Sequence, residues 1–343
     1  MPAPTGGADA DGGHGTQEIP VNVPSGPVVD PALPIIDPHH HLWHGAAGRY
    51  LVDDLVADLR SGHDVRATVY IECGSFHRAE GPEALRPVGE VEFAAGAAAV
   101  GASGRYGPTR FCSSIVGFAD LTLGAEADRV LEALVAAGNG RLKGVRHIAA
   151  HDPEVKQLAP PGMLRDERFR AGYARLAAHG LSFDAWLYHP QLGDLLSLAA
   201  AHPGTPVVVN HAGGPIGTGA YAARRDEAFA EWRAGLRALA ALPHVYMKLG
   251  GFFMPVFGFG FETAATVDPG ELARAARPIV ETCIELFGPE RCMFESNFPV
   301  TRDFLTYRDV WNCYKLAVAD GTPSEKQSLF HDTARDVYAM ART

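Results

Sequence analysis

Ile35-Ile36-Asp37-Pro38-His39-His40-His41-Leu42-Trp43 is the stretch on which the reading of the fold turns. It opens on apolar, β-forming residues and runs into three consecutive histidines. An open, doubly wound sheet would carry a glycine-rich phosphate turn after its first strand, and none stands here. On a strand, residues two apart share a face, so His39 and His41 point one way and His40 the other. Buried imidazoles each need a polar partner, so a strand end that uses them chemically is favoured over three packed core histidines.

Outward from this stretch, short apolar runs alternate with amphipathic ones. Strands are expected near 34–42, 66–73, 112–118, 142–148, 181–187, 205–211, 244–250 and 291–297. They are rich in Val, Ile, Leu and Phe and poor in charge, as strands covered on both faces are. Helices are expected over 52–61, 88–101, 124–137, 166–179, 190–201, 224–241, 270–287, 305–319 and 324–341, the last opened by Ser324 as N-cap after Pro323. Eight strands alternating with helices predict a parallel sheet closed into a single (β/α)8 TIM barrel over 34–343. Residues 1–33 hold no Lys, Arg or aromatic residue and many Gly, Pro, Ala and Asp. They read as a flexible N-terminal arm without the basic and apolar regions of a signal peptide.

Composition excludes some partners. The 343 residues carry 30 Lys and Arg against 40 Asp and Glu, a formal charge of −10. That argues against nucleic acid and anionic membrane surfaces, which call for basic patches. No run of 18 apolar residues is present to span a membrane. Cys73, Cys112, Cys283, Cys292 and Cys313 are scattered without CxxC spacing, so buried free thiols in the cytoplasm are expected.

Two further stretches carry chemistry. In Val207-Val208-Val209-Asn210-His211-Ala212-Gly213-Gly214-Pro215 an apolar strand ends at a histidine, and glycines let the backbone turn close beside it. In Arg291-Cys292-Met293-Phe294-Glu295-Ser296-Asn297-Phe298-Pro299, alternation sends Met293, Glu295 and Asn297 to one face. The aromatic and glycine-rich segment 251–269 follows the seventh strand, as a pocket wall or as an apolar contact in a homo-oligomer.

Together these pieces resemble the amidohydrolase-2 group of the amidohydrolase superfamily, which includes 2-pyrone-4,6-dicarboxylate lactonase and sugar lactonases. Asp37, His39 and His41 match its strand-one Asp-x-His-x-His, and Asn210 and His211 its strand-six Asn-His-x-Gly. Further echoes are Glu72 after strand two, Gly144-Val145-Arg146, Phe183-Asp184-Ala185-Trp186, Lys248-Leu249 and the terminal His331-Asp332-Thr333-Ala334-Arg335. The resemblance implies a metal-ligating, proton-accepting Asp on strand eight, where this chain has Asn297. An amide positions water but takes no proton near neutral pH. Glu295 or a histidine then supplies the base, or the chemistry differs. His189, just past strand five, is the one counterpart to the family's strand-five metal histidine.

The resemblance implies hydrolysis of a small cyclic ester, a lactone of an anionic organic acid or a sugar acid. His39, His41, His211, Asn297 and Glu295 are the expected catalytic residues. Arg146, Lys248, Glu72, Tyr188 and His189 are expected around the substrate, Arg146 binding a substrate carboxylate or forming a structural ion pair, and Lys248 binding an anionic group or pairing with Glu295. No cofactor is required in this reading; zinc or another divalent ion would sit on His39 and His41. Two alternatives stand beside it, a metal-dependent amidohydrolase or aromatic-acid decarboxylase, and a non-catalytic binding barrel.

Overall fold

The structure, a computed structural model, describes residues 26–45, 48–261 and 267–340. Its strands are β1 (Pro34–His40), β2 (Trp43–Gly45), β3 (Gly48–Tyr50), β4 (Asp64–Ile71), β5 (Arg110–Gly117), β6 (Leu142–Ile148), β7 (Ser182–Trp186), β8 (Val207–Val209), β9 (Val245–Leu249) and β10 (Cys292–Phe294). β2 and β3 pair as a small hairpin; the other eight form one parallel sheet in sequence order. Helices α1 (Val52–Leu59), α2 (Val88–Ala102), α3 (Ala127–Gly138), α4 (Glu167–Tyr173), α5 (Leu192–Ala201), α6 (Arg225–Ala240) and α7 (Pro269–Phe287) run between the strands. α8 (Tyr307–Ala317), α9 (Pro323–Gln327) and α10 (Thr333–Val337) follow β10.

The ring closes at its histidine end. Asn297 N–H donates to His39 O at 2.9 Å, and His41 N–H to Phe298 O at 2.8 Å. Closure thus joins the first and third chemical stretches through their backbones, and it brings the strand-eight residues beside the strand-one histidines. Helices cover the outside, and the inside is filled in its lower half by Ile36, Ala67, Val69, Val116, Val208 and Met293.

Alternation along β1 is broken, and the break positions the site. Ile36 faces the interior, so regular alternation would turn Pro38 and His40 inward. Pairing with β4 slips between Asp37 and His40, where three steps on β1 match two on β4. This bulge absorbs one residue. His39 therefore enters the barrel, while His40 turns away to Thr68 Oγ1 at 2.8 Å. Asp37 faces outward too, accepting from Tyr307 of α8 at 3.0 Å and from Ser296 Oγ at 2.6 Å.

The chain end differs from its sequence reading. Thr322, not Ser324, caps α9: its side chain accepts from Glu325 N–H while Glu325 bonds back, with Pro323 in the first turn. The helix expected over 324–341 is broken by a π-turn at Ser328–Asp332, after which α10 plugs the barrel floor with Ala334 and Tyr338. The arm expected at 1–33 lies outside the described residues up to 25. Of the rest, Val29 N–H bonds Asn312 on α8 at 2.8 Å, and Lys315 bonds Asp30 O at 2.7 Å. Of the 251–269 segment, 262–266 lie outside the described residues. Phe252, Phe253 and Phe257 pack into the core. Among the described residues, no helix is long and apolar enough to cross a membrane, and all five cysteines are unpaired.

Candidate active site

The barrel interior carries polar side chains in tiers above its apolar floor. In the lowest tier Lys248 of β9 pairs with Asp184 of β7 at 2.8 Å, both fully buried. The same carboxylate oxygen accepts from Asn210 Nδ2 at 3.1 Å and from the Tyr338 hydroxyl at 2.9 Å. The Lys248 ammonium also stands 5.2 Å from the centre of the Tyr338 ring. The pairing of Lys248 with Glu295, one reading of the sequence, is replaced by this one. Lys248 has no exposed surface with which to meet a substrate.

His39, His211 and Glu295 form the middle tier. Oε1 of Glu295 accepts from His211 Nδ1 at 2.5 Å and from His211 N–H at 3.1 Å. Oε2 lies 2.6 Å from His39 Nδ1, off the line of a hydrogen bond and without another donor among the described residues. Burial alone would raise the Glu295 carboxyl, but His211 and His39 outweigh it and hold the group well below the usual carboxylate range. An ionised Glu295 accepts only, so Nδ1 of His211 carries a proton in this contact. Burial, aided by Lys248, pushes His39 well below 6.5, and burial, aided by Arg146, does the same for His41. Both are neutral imidazoles at pH 7.

Two glycines make room for this tier. A Cβ on Gly250 would lie 2.4 Å from Cγ of Glu295, and one on Gly251 would lie 2.8 Å from His211 Nδ1. Gly251 also sits at φ +68°, where side chains strain the backbone.

The upper tier is Arg146 of β6 with Glu72 at the end of β4, joined at 2.6 Å and nearly buried. Arg146 also places one terminal nitrogen 3.4 Å from His39 Nε2. His41 donates Nδ1–H to Ile71 O at 2.8 Å, leaving Nε2 without a partner among the described residues. Trp186 meets the His211 ring edge-on at 4.7 Å. Asn297 is buried at φ +52°, a left-handed conformation that Asn tolerates, and its side-chain amide makes no hydrogen bond among the described residues.

His39, His41, His211, Glu295, Arg146 and Glu72 are thus brought together, with Asn297 linked to His39 through the backbone. His189 stands apart: its Nδ1 accepts from Ile216 N–H at 3.2 Å, and its Nε2 faces Glu231 of α6 at 3.6 Å. Tyr188 packs against Trp186 at 5.6 Å. The sequence reading missed Asp184 as the lysine's partner and Tyr338 as part of the site. Inward alternation with Trp186 marks Asp184; no local signal marks Tyr338.

His39, His211 and Glu295 are chemically a zinc-compatible donor set, their nearest donor atoms all within 4.8 Å of one another. Their spacing is that of hydrogen bonds: two ligands about 2.0–2.1 Å from a tetrahedral zinc stand roughly 3.3 Å apart, against 2.5 and 2.6 Å here. Lys248, 3.4 Å from His39 Nδ1, adds a positive charge on that side. The Nδ1 side does not fit an ion. His41 and His211 each bond a carbonyl or carboxylate through Nδ1, the orientation in which a histidine ligates a metal through Nε2.

A family model described as "Amidohydrolase" matches residues 36–340. The chain is 30% identical over 332 residues to "Uncharacterized protein y4mH" of Sinorhizobium fredii, covering 90% of this chain and 99% of the other. It is 30% identical over 319 residues to L-fucono-1,5-lactonase of Burkholderia multivorans, covering 89% and 96%. A crystal structure of a Burkholderia multivorans amidohydrolase with bound zinc superimposes with a TM-score of 0.68 at 28% identity, over 90% of this chain and 99% of that one.

Proposed function

The chain belongs to the amidohydrolase family of hydrolases, and from that premise we propose that it opens a small, uncharged sugar-acid lactone with His211 as general base. The observation that carries the reading is the Glu295–His211 contact, which orients the imidazole through Nδ1 and leaves Nε2 as the ring nitrogen that exchanges a proton. Water delivers a proton to that nitrogen as its oxygen attacks the lactone carbonyl. The guanidinium of Arg146 polarises the carbonyl oxygen, and Asn297 orients the water. When the ring C–O bond breaks, the proton on His211 passes to the departing alkoxide, leaving a hydroxy acid.

Charge sets the substrate class. Lys248 is matched by Asp184 and Arg146 by Glu72, and Glu295 adds a carboxylate beside His39, which burial holds neutral. A polycarboxylate would meet no spare cation among these groups. An aldonolactone, as in the name of the fuconolactonase relative, meets none of that repulsion. The cytoplasmic assignment rests on five unpaired cysteines, four of them buried.

A second reading follows from the zinc-bound neighbour. His41 and His211 would hold a divalent ion through Nε2, and the ion would supply Lewis acidity for the same substrate class. Two neutral ligands without a strand-eight Asp make a weak set. Turnover of a lactone panel, followed by acid release with a pH indicator, tests the proposal: fast hydrolysis of neutral aldonolactones and slow hydrolysis of 2-pyrone dicarboxylates is expected. A folded enzyme that opens no lactone, or that releases carbon dioxide from aryl carboxylates instead, overturns it.

A further inference from the structure

At the barrel end opposite the histidines, a cavity of about 530 Å³ opens between the C-terminal ends of α2 and α3, the beginnings of β5 and β6, and the C-terminal plug. Its volume lies within the range of small-molecule sites. Arg110, Arg141 and Lys143 line it, and no Asp or Glu does. None of the three has an ion-pair partner among the described residues; Arg141 has one long contact, to Asn139 O at 3.4 Å. Arg110 is exposed and the other two half-buried, so their charged ends can reach a ligand.

The two helix ends do not account for these charges. A helix C-terminus carries roughly half a negative charge, so two of them offset about one of three positive charges. About two remain, concentrated in a concave site on a chain whose formal charge is −10. Unpaired cations concentrated against the sign of the whole protein raise the local concentration of anions. A guanidinium's fork of donors also suits a phosphate or carboxylate.

We propose that this floor cavity is a second binding site, for a small oxyanion of two or more negative charges, held by Arg110, Arg141 and Lys143. The chemistry is that of a phosphate ester, pyrophosphate or polycarboxylate. It is distinct from the mouth, where every cation is matched. Ala339 and Met340 form part of the wall, directly after Tyr338. A bound anion therefore rests on the segment that reaches Asp184 beneath His39.

Isothermal titration with pyrophosphate, and separately with citrate, at constant ionic strength tests the site on the full chain. Saturable binding is expected for wild type and for His211→Ala, the latter excluding the mouth as the binding place. Arg141→Ser and Lys143→Ser should each weaken binding about tenfold, as the loss of one charged contact does. The triple variant with Arg110→Ser should abolish it while keeping its far-ultraviolet circular dichroism. Citrate binding without pyrophosphate binding would make the ligand a polycarboxylate, and the reverse a phosphate compound; either supports the site. Equal binding by wild type and triple variant overturns the proposal, as does an adventitious ion only, with no saturation below about 10 mM.

Discussion

Glu295→Gln separates the histidine–carboxylate base from other uses of the same pocket. The substitution keeps size and shape at a position with no exposed surface. It exchanges a carboxylate that accepts from His211 Nδ1 at 2.5 Å, and lies 2.6 Å from His39 Nδ1, for an amide with one oxygen. His211 donates to Oε1 through both Nδ1 and its backbone N–H, so the amide oxygen takes that place and the amide nitrogen faces His39. His211 then loses the negative charge that stabilises its protonated form during the attack of water. Each hydrogen bond to a charged group contributes about 1.5–3 kcal/mol, offset by relief of a burial penalty of several kcal/mol for the carboxylate. Stability should therefore change by no more than about 2 kcal/mol. A positioned base contributes about 10²–10⁴-fold in rate, so kcat should fall at least about 100-fold. KM should move less than about threefold, because Glu295 lies beneath the imidazoles. Steady-state hydrolysis of a neutral aldonolactone, with urea unfolding in parallel, reads both. A kcat within about threefold of wild type would refute the assignment of His211 as base.

Activity should survive chelator, and Asn297→Asp should raise zinc affinity: the left-handed φ of +52° suits Asp as well as Asn. One tightly held zinc per chain, with activity lost on stripping, would replace this reading by the metal-dependent one. Tyr338→Phe removes one of three donors to an oxygen of Asp184; a loss of about 1.5–3 kcal/mol in urea unfolding is expected, and unchanged stability would count against the plug's role. Gly251→Ala drives a methyl into His211 and should abolish turnover; an active variant would show that this tier has slack. Burial lowers His40 to about 3 and His147 to about 4 from 6.5. As pH falls below 6.5 the unfolded chain takes protons that the native one refuses, so stability should fall by up to about 1.4 kcal/mol per pH unit for each histidine. Thermal unfolding between pH 6.5 and about 4 checks this, and a constant Tm would contradict it.

The sequence alone determined the barrel and the elements that bear its site. Hydrophobic runs and helical periods are local properties of the chain, so eight strands and the helices between them could be read from neighbouring residues. The same holds for His39, His41, His211 and Glu295, which stand at or beyond the ends of apolar strands. Which polar groups answer one another was decided by closure. Glu72 meets Arg146, Asp184 meets Lys248, and Glu295 meets two histidines across 64 to 256 residues of chain, and strand alternation gives a face but no partner. The bulge after Asp37 even reverses the alternation on which His39 depends, because the register is set jointly with β4. Tyr338 belongs to the site through a π-turn and a plug that exist only once the barrel offers a floor to fill.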